Sequence, residues 1–348
     1  MKRMYGSVIE HLRATIFAPT KSKLIGPKSK STKYQWLPCE VDIDEAEDGG
    51  NASILTYINN LHPETHASLY QSLEAIFARF VPLFDNTLST LDNEAEDRTN
   101  KRLYESNNAS LPCPPALVPP GLLETSSPKF SLKGSRCQVI VKIAEIRLTP
   151  DSPNYVGGSW HIEGTDAERI IATGLYYFGS ENITESRLSF RVFVKQPEES
   201  DDVDVGLTYG LENSNLLVQH LGSVTALEDR CVVFPNIYQH KVEPFSLADP
   251  TKPGVRKILA FFLVDPTNLA IPSTAVVPPQ QQDWIDRAKE PQLKRARLAD
   301  GAGHQIQDMS REGMSLEEAK MNRVKLMAER SPPHDQGDYD FVFSLCEH

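Results

Sequence analysis

Short apolar runs separated by turn residues dominate the chain between residues 138 and 265. β-Branched and aromatic residues are frequent in each run, and glycine or proline follows within a few positions. No helical periodicity separates the runs, so the pattern predicts a mainly β fold with flanking helices around a double-stranded β-helix, or jelly-roll, core. The runs occupy residues 138–148, 169–178, 187–194, 230–234, 237–245 and 255–264.

Helical spacing is found on both sides of this β region. Apolar residues recur at helical intervals between residues 52 and 92, and the segments 280–299 and 315–330 are also expected to be helical. A stretch rich in proline and serine precedes the strands. The predicted divisions are a basic N-terminal tail (1–34), a helical support region (35–106), a Pro/Ser-rich loop (107–129), the jelly-roll core (130–280) and a C-terminal helical extension (281–348).

Three potential metal ligands lie within the β region. His161 and Glu163 are separated by one residue, and His240 comes from a later run. Residues i and i+2 of a strand project to the same face, so His161 and Glu163 can bind one ion while Ile162 turns away. Two imidazoles and one carboxylate are the facial ligand set of non-haem iron(II) sites, which leave coordination positions open for other molecules.

The sequence His62-Pro63-Glu64 repeats the His-x-Glu pattern and serves as a control, because acidic residues are frequent enough to create such a match by chance. Proline fixes φ and lacks an N–H donor, so it suits the first turn of a helix. His62 is therefore predicted to lie at the start of a helix rather than to bind a metal.

The order of these features resembles that of the iron(II)/2-oxoglutarate-dependent dioxygenases: a His-x-Glu strand, several further strands, a distal histidine and a basic residue on the last core strand. More closely, residues 138–142, 157–164, 181–187, 234–240 and 247–254 resemble a largely fungal family of uncharacterised proteins. The likeness extends from about Gln35 to about Arg330. It leaves open whether the chain is a short form that lacks an N-terminal region.

The resemblance implies that His161, Glu163 and His240 bind iron(II) and that Arg256 pairs with the distal carboxylate of 2-oxoglutarate, the cosubstrate. A guanidinium offers a planar fork that suits such a contact. Because Glu163 keeps the carboxylate position occupied, the resemblance implies hydroxylation or a related C–H oxidation rather than halogenation.

Lys257 is the alternative to Arg256 as the cosubstrate contact. Adjacent strand residues face opposite sides, so only one of the two can point towards the metal. Arg256 is preferred because it shares its face with the small Ala260, which leaves room for a ligand.

Three further residues are candidates for a substrate pocket, namely Trp160, Tyr176 and Arg187. Each also has a structural interpretation. An aromatic residue beside a strand ligand is often packing, and an arginine on a strand often forms a surface ion pair. No catalytic residue is predicted beyond the metal centre.

Composition restricts the partners. The net charge of -11 argues against general nucleic-acid binding, and no apolar stretch has transmembrane length. The substrate, a small molecule or a protein, and the oligomeric state stay undetermined. An intracellular, cytoplasmic protein is expected; the basic tail and the run Lys294 to Arg297 keep mitochondrial and nuclear locations as alternatives.

The sequence thus favours a non-haem iron(II)/2-oxoglutarate-dependent oxygenase. The main alternative is a catalytically silent jelly-roll binding or interaction protein with at most a structural metal. A metal-dependent hydrolase on the same fold is a third possibility.

Overall fold

A computed structural model describes residues 33–45, 50–92, 130–193, 216, 218–267, 270–287 and 313–330. This part of the chain is mainly β with few helices. The helices are α1 (Ala67–Asp92) and α2 (Leu316–Arg330), and residues 282–287 are also helical. The strands are β1 (Cys39–Ile43), β2 (Ala52–Ile54), β3 (Arg136–Leu148), β4 (Asn154–Tyr155), β5 (Ile170–Glu181), β6 (Arg187–Phe193), β7 (Val218–Thr225), β8 (Cys231–Pro235), β9 (Gln239–Val242), β10 (Phe245–Ser246) and β11 (Gly254–Val264).

The strands form one large sheet and two small ones. The large sheet has six strands in the order β2-β1-β3-β11-β5-β8, and its paired strands run antiparallel. A three-stranded sheet has the order β7-β6-β9, and β10 pairs with β4. The last strand, β11, lies between β3 and β5. The central part of the large sheet is therefore complete only when the C-terminal end of the β region pairs with its first strands.

One face of the large sheet, here called the helix face, packs against α1. The side chain of Phe261 on β11 lies between two helix residues, with ring centroids 5.2 Å from Phe77 and 5.4 Å from Phe80. The approach is close enough to require glycine on β5, because a Cβ at Gly174 would lie 2.7 Å from the Phe80 ring. The apolar side of α1 therefore covers the central part of this face, while Ile143 of β3 stays half exposed.

The opposite face of the large sheet, here called the inner face, looks towards the three-stranded sheet. Ala260 and Phe262 of β11 belong to this face, together with Phe234 of β8. The ring of Phe190 on β6 lies edge-on to Phe234, with centroids 4.9 Å apart. Strand alternation thus divides β11 between two cores, one against α1 and one between the sheets.

Most predicted runs are confirmed as strands, and α2 confirms the predicted helix at 315–330. The helical expectation for 52–92 is wrong at its beginning: Ala52–Ile54 is β2, and α1 starts only at Ala67. In β1, buried Val41 and Ile43 alternate with more exposed acidic residues, which is a strand pattern within the predicted helical support region.

β4 and β7 fall outside the predicted runs. Residues 1–32, 107–129 and 288–312 lie outside the described residues, so the basic tail, the Pro/Ser-rich loop and much of the C-terminal extension stay predictions. In the described part of the chain, neither helix combines the length and apolar character needed to cross a membrane.

Candidate metal centre

His161, Glu163 and His240, here called the triad, come together at the edge of the inner face. Each offers one ligand atom, and these atoms lie within 4.8 Å of one another. The two histidines form an antiparallel bridge in which each backbone N–H donates to the other's carbonyl, at N to O distances of 3.2 and 2.9 Å. The backbone thereby sets the two imidazoles side by side, with ring centroids 4.5 Å apart.

A buried amide holds the backbone of Glu163. The side chain of Asn236 accepts a hydrogen bond from the Glu163 N–H at 2.9 Å and donates to the Glu163 carbonyl at 2.8 Å. The next residue, Gly164, has a φ of 76°, which favours glycine, and a Cβ there would lie 2.7 Å from Ile170. The backbone at Glu163 is therefore held by Asn236 and by the close packing of Gly164, and this fixes the direction in which the carboxylate projects.

The imidazoles are oriented for metal binding. Nδ1 of His161 lies 2.8 Å from the Ser159 carbonyl, which only accepts, so this nitrogen donates and Nε2 keeps its lone pair. Nε2 of His161 and Nε2 of His240 lie 3.9 and 3.6 Å from Oε1 of Glu163. Neighbouring ligands at about 2.1 Å from an octahedral ion sit about 3 Å apart. The two His–Glu distances would have to shorten by less than about 1 Å for the side chains to bind one ion, and the type and convergence of the donors fit such an ion.

Electrostatics favour the metal-binding protonation states of Glu163 and His161. Burial tends to raise the pKa of Glu163, but the contact with His240 and the charge of Lys142 outweigh it and lower that pKa from 4.5 to about 2. Desolvation and the neighbouring His240 lower the pKa of His161, and the charge of Glu163 offsets this only in part. An ionised carboxylate and a neutral imidazole are the forms that bind metals.

Arg256 lies on the inner face and is only 3% exposed. Its guanidinium carbon stands 4.9 Å from the centroid of the Tyr177 ring and 5.9 Å from that of Phe245. Its Nε has no hydrogen-bond partner, and no carboxylate of the described residues forms an ion pair with it. A buried charge normally has a partner, so this arginine is suited to receive an anion.

Lys257 takes the opposite side of β11. Its aliphatic chain packs on Gly179 of β5, where a Cβ would lie 3.2 Å from Cδ of the lysine, and its register partner on β3 is the exposed Glu145. The alternation of β11 therefore places Arg256, and not Lys257, on the side of the triad. The binding of a cosubstrate by either residue stays a prediction.

The structure does not bring Trp160 into the inner face. Its ring lies outside the three-stranded sheet, 4.7 Å from the guanidinium carbon of Arg191 and 5.1 Å from Nζ of Lys241. Strand alternation explains this position: His161 and His240 point inwards, so their neighbours Trp160 and Lys241 point outwards.

The other two pocket candidates also lie away from the triad. Tyr176 packs on the helix-face core and donates its hydroxyl hydrogen to Oδ1 of Asp229 at 2.9 Å. Arg187 lies on the outer side of β6, where its guanidinium donates to Glu185 at 2.7 Å and to Ser223 at 2.9 Å. Both side chains therefore make the structural contacts that were the alternative for each.

Three residues near the triad were not singled out from the sequence. Asn236 holds Glu163, Tyr177 faces Arg256, and Lys142 acts electrostatically on Glu163. The period-two pattern of β3 contains a signal for Lys142, because Ile140 and Ile146 are on the same face and both belong to inner cores. A lysine between such positions points inwards.

The fold and site thus define a mainly β protein with a candidate His-Glu-His metal centre. Residues 4–288 match the family described as a protein of unknown function, DUF4246, and the chain belongs to this family. No curated protein matches the sequence.

Two solved structures are similar to this chain at low levels. One is a bsmA homologue from Methylobium petroleophilum PM1, 9% identical, covering 72% of this chain and 79% of its own, with a TM-score of 0.31. The other is the Fe(II)/α-ketoglutarate-dependent dioxygenase TqaL, 16% identical, covering 44% of this chain and 52% of its own, with a TM-score of 0.25.

Proposed function

We propose that this protein is a non-haem iron(II)/2-oxoglutarate-dependent oxygenase that oxidises a C–H bond of its substrate. The observation that carries the proposal is the pairing of two features on one face: a convergent His-Glu-His triad and a buried arginine that has no carboxylate partner among the described residues. The first fits iron(II) and the second fits the distal carboxylate of 2-oxoglutarate. Neither feature alone would distinguish an oxygenase from a protein with a structural metal.

Strand order supports a double-stranded β-helix for the proposed catalytic core. Four strands, β3, β11, β5 and β8, form one layer in that order. The other layer is formed by β4 with β10 and by β9, β6 and β7, and the His161–His240 bridge connects the two parts. The chain passes back and forth between the two layers from β3 to β6 and again from β7 to β11, with β6 and β7 adjacent in one layer, and this order supports the winding of a jelly roll.

Different residues of the chain would position the metal ligands and the cosubstrate. The Ser159 carbonyl and Asn236 hold His161 and Glu163 in their binding positions, and Arg256 would orient the cosubstrate from deeper in the fold. Bound iron(II) supplies dioxygen activation, coupled to the decarboxylation of 2-oxoglutarate to succinate. Phe190 and Phe234 lie against His240, with centroids 6.4 and 5.0 Å from its ring, and exclude water from that side.

The proposal is tested by anaerobic titration of the iron(II)-loaded protein with 2-oxoglutarate. We expect the weak visible absorption of the iron chelate, and succinate release once oxygen is admitted. His240→Ala should lose stoichiometric iron binding. A protein that binds iron but shows neither absorption nor succinate would overturn the proposal and favour a structural metal in a binding protein.

Two neighbouring substitutions test the cosubstrate contact. Arg256→Gln removes the buried guanidinium, and Lys257→Gln removes a charge from the other face of the same strand. We expect the Arg256 variant to weaken 2-oxoglutarate binding at least tenfold, which corresponds to about 1.4 kcal/mol, and the Lys257 variant to leave binding within twofold. The reverse result would assign the contact to Lys257.

A further inference from the structure

Lys142 projects from β3 onto the inner face, close to the triad, and is exposed there. Its Nζ stands 5.7 Å from the ring centroid of Trp36 and 5.9 Å from that of Phe262. No carboxylate of the described residues lies within ion-pair distance, although Lys142 influences the charges of Glu163 and His161. The ammonium group is therefore positioned by aromatic rings and accessible to a ligand.

The aromatic partner of Lys142 is itself fixed to the metal-ligand loop. The ring of Trp36 stacks on Phe262, with centroids 5.5 Å apart and planes 8° from parallel. The backbone N–H of Trp36 donates to Oε1 of Glu168 at 2.9 Å. Glu168 is fully buried and also accepts hydrogen bonds from Thr165, just after Glu163. The segment before β1 thus forms a fixed wall of the site.

The two cations of the inner face occupy separate positions. Lys142 is the register partner of Ala260 on β11, and Arg256 lies four residues earlier, about 13 Å along the strand at roughly 3.3 Å per residue. Their heads contact different rings, Trp36 and Phe262 for the lysine and Tyr177 and Phe245 for the arginine. One small anion at Arg256 would therefore leave Lys142 available.

We propose that Lys142 binds a carboxylate of the oxygenase substrate, with the partly exposed ring of Trp36, which is backed by the buried Phe262, contacting the substrate's apolar body. This inference rests on the proposed function. In the proposed oxygenase complex, Glu163 and doubly charged 2-oxoglutarate offset the charges of iron(II) and Arg256, and the exposed Lys142 ammonium has no ion-pair partner among the described residues. A carboxylate with a hydrocarbon body matches that charge and the ring of Trp36.

The experiment uses the fluorescence of Trp36, which does not depend on turnover. Trp160→Phe and Trp284→Phe in the full chain leave Trp36 as the only tryptophan. The protein is titrated with octanoate and, separately, with inorganic phosphate, both without metal and as the anaerobic iron(II)/2-oxoglutarate complex. We expect a saturable change in Trp36 emission with octanoate.

Three substitutions in this background separate charge from packing. Lys142→Gln should weaken octanoate binding at least tenfold, and Lys142→Arg, which keeps the charge, should restore it to within about threefold. Lys252→Gln removes the same charge from an exposed loop and should change binding by less than twofold. Equal octanoate affinities for the parent and Lys142→Gln would overturn the proposal. Saturation by phosphate but not octanoate would overturn the carboxylate assignment.

Measurement of 2-oxoglutarate binding distinguishes this proposal from the proposed function. Lys142→Gln should keep its 2-oxoglutarate affinity within twofold; a large loss would assign Lys142 to the cosubstrate and overturn the substrate role. If the parent protein forms no iron chelate with 2-oxoglutarate, the oxygenase proposal fails. Octanoate binding that still depends on Lys142 would then support a carboxylate site that is independent of that chemistry.

Discussion

The two faces of β11 are equally buried but differ in what they leave unsatisfied. On the helix face, Phe261 and Leu263 are at most 1% exposed and contact only apolar surroundings. On the inner face, Arg256 is 3% exposed, yet its Nε lacks a hydrogen-bond partner. Buried Nδ1 of His240 and Oγ1 of Thr173, which lies on the inner face of β5, share that condition.

This difference separates stability from function along a single strand. Apolar packing on the helix face contributes to folding and requires nothing further. A buried polar group without a protein partner contributes less to stability than an apolar group in its place would. Under the proposed function, 2-oxoglutarate would supply a partner for Arg256, so ligand binding is expected on the inner face.

The largest effect is expected from Phe261→Ala on the helix face. The substitution removes a ring held between Phe77 and Phe80 and should lower the free energy of unfolding by about 3–5 kcal/mol. Urea unfolding of the metal-free protein measures this. Phe178→Ala, at a residue 38% exposed on β5, is the control and should cost less than about 1 kcal/mol. Similar losses in both variants would contradict the assignment of the helix face as the stabilising core.

The next effect concerns Asn236→Ala on the inner side. Loss of the hydrogen bonds to the Glu163 backbone should weaken iron(II) binding about 10–100-fold, as is typical when supporting contacts to a ligand are removed. Competition with a chelator under anaerobic conditions measures the affinity. Asn182→Ala is the matched control, because Asn182 holds the backbone at Asp249 and Lys252 in the same way but away from the triad. An equal loss of iron affinity in the control would indicate a general structural effect.

The carboxylates of Glu163 and Asp85 should make opposite contributions to the pH dependence of the free energy of unfolding. These effects are expected to be smaller than those of the two substitutions above. Contacts within the triad lower the pKa of Glu163 in the fold, so its contribution to stability is present above pH 4.5 and is lost as the pH falls towards 2. Burial raises the pKa of Asp85 on α1, so its contribution is fully present below pH 3.8 and is lost as the pH rises through the raised pKa.

Urea unfolding of the metal-free protein between pH 3 and 6 tests these signs. Glu163→Gln should lose less stability than the parent on acidification, and Asp85→Asn should lose more. Asparagine keeps an oxygen that accepts the Leu132 N–H, so the Asp85 variant retains its main hydrogen bond. The same pH slope in both variants would contradict the contrast between the faces.

The smallest effect is expected from Arg187→Gln. Its ion pair with Glu185 is exposed, with 41% and 61% of the side chains accessible, and exposed pairs contribute about 0–1 kcal/mol. Iron and 2-oxoglutarate affinities should not change. Weaker binding of iron or of 2-oxoglutarate would show that Arg187 contributes to the site and that the functional region includes the outer side of β6.

Strand periodicity accounts for the parts of the site that the sequence could predict. The spacing of His161 and Glu163 requires only that the segment be extended, and the order of apolar runs places His240 on a later strand. The preference for Arg256 rests on its sharing a face with Ala260, and the structure places both residues on the inner face. Alternation determines which residues share a face, whatever the tertiary fold.

The same rule cannot state which of two faces points inwards. Tyr176 and Tyr177 are equally aromatic, and the choice between them depends on α1, which covers the Tyr176 side. Trp36 shows a further limit, because it lies outside any strand or helix and its contact with Phe262 leaves no periodic signal in the sequence. Likewise, the three residues of β2 are too few to show the two-residue period of a strand, so the sequence pattern includes them in the helical segment 52–92.

The backbone bridge between His161 and His240 also has a consequence for folding. The two residues are distant in sequence and become neighbours only when the β region is closed, so the unfolded chain holds no preformed triad. A metal that binds only the folded state stabilises it by mass action, by about 2.7 kcal/mol when its free concentration is a hundredfold above the dissociation constant. Under the proposed function, the supply of iron would therefore raise the stability of the folded protein as well as support its activity.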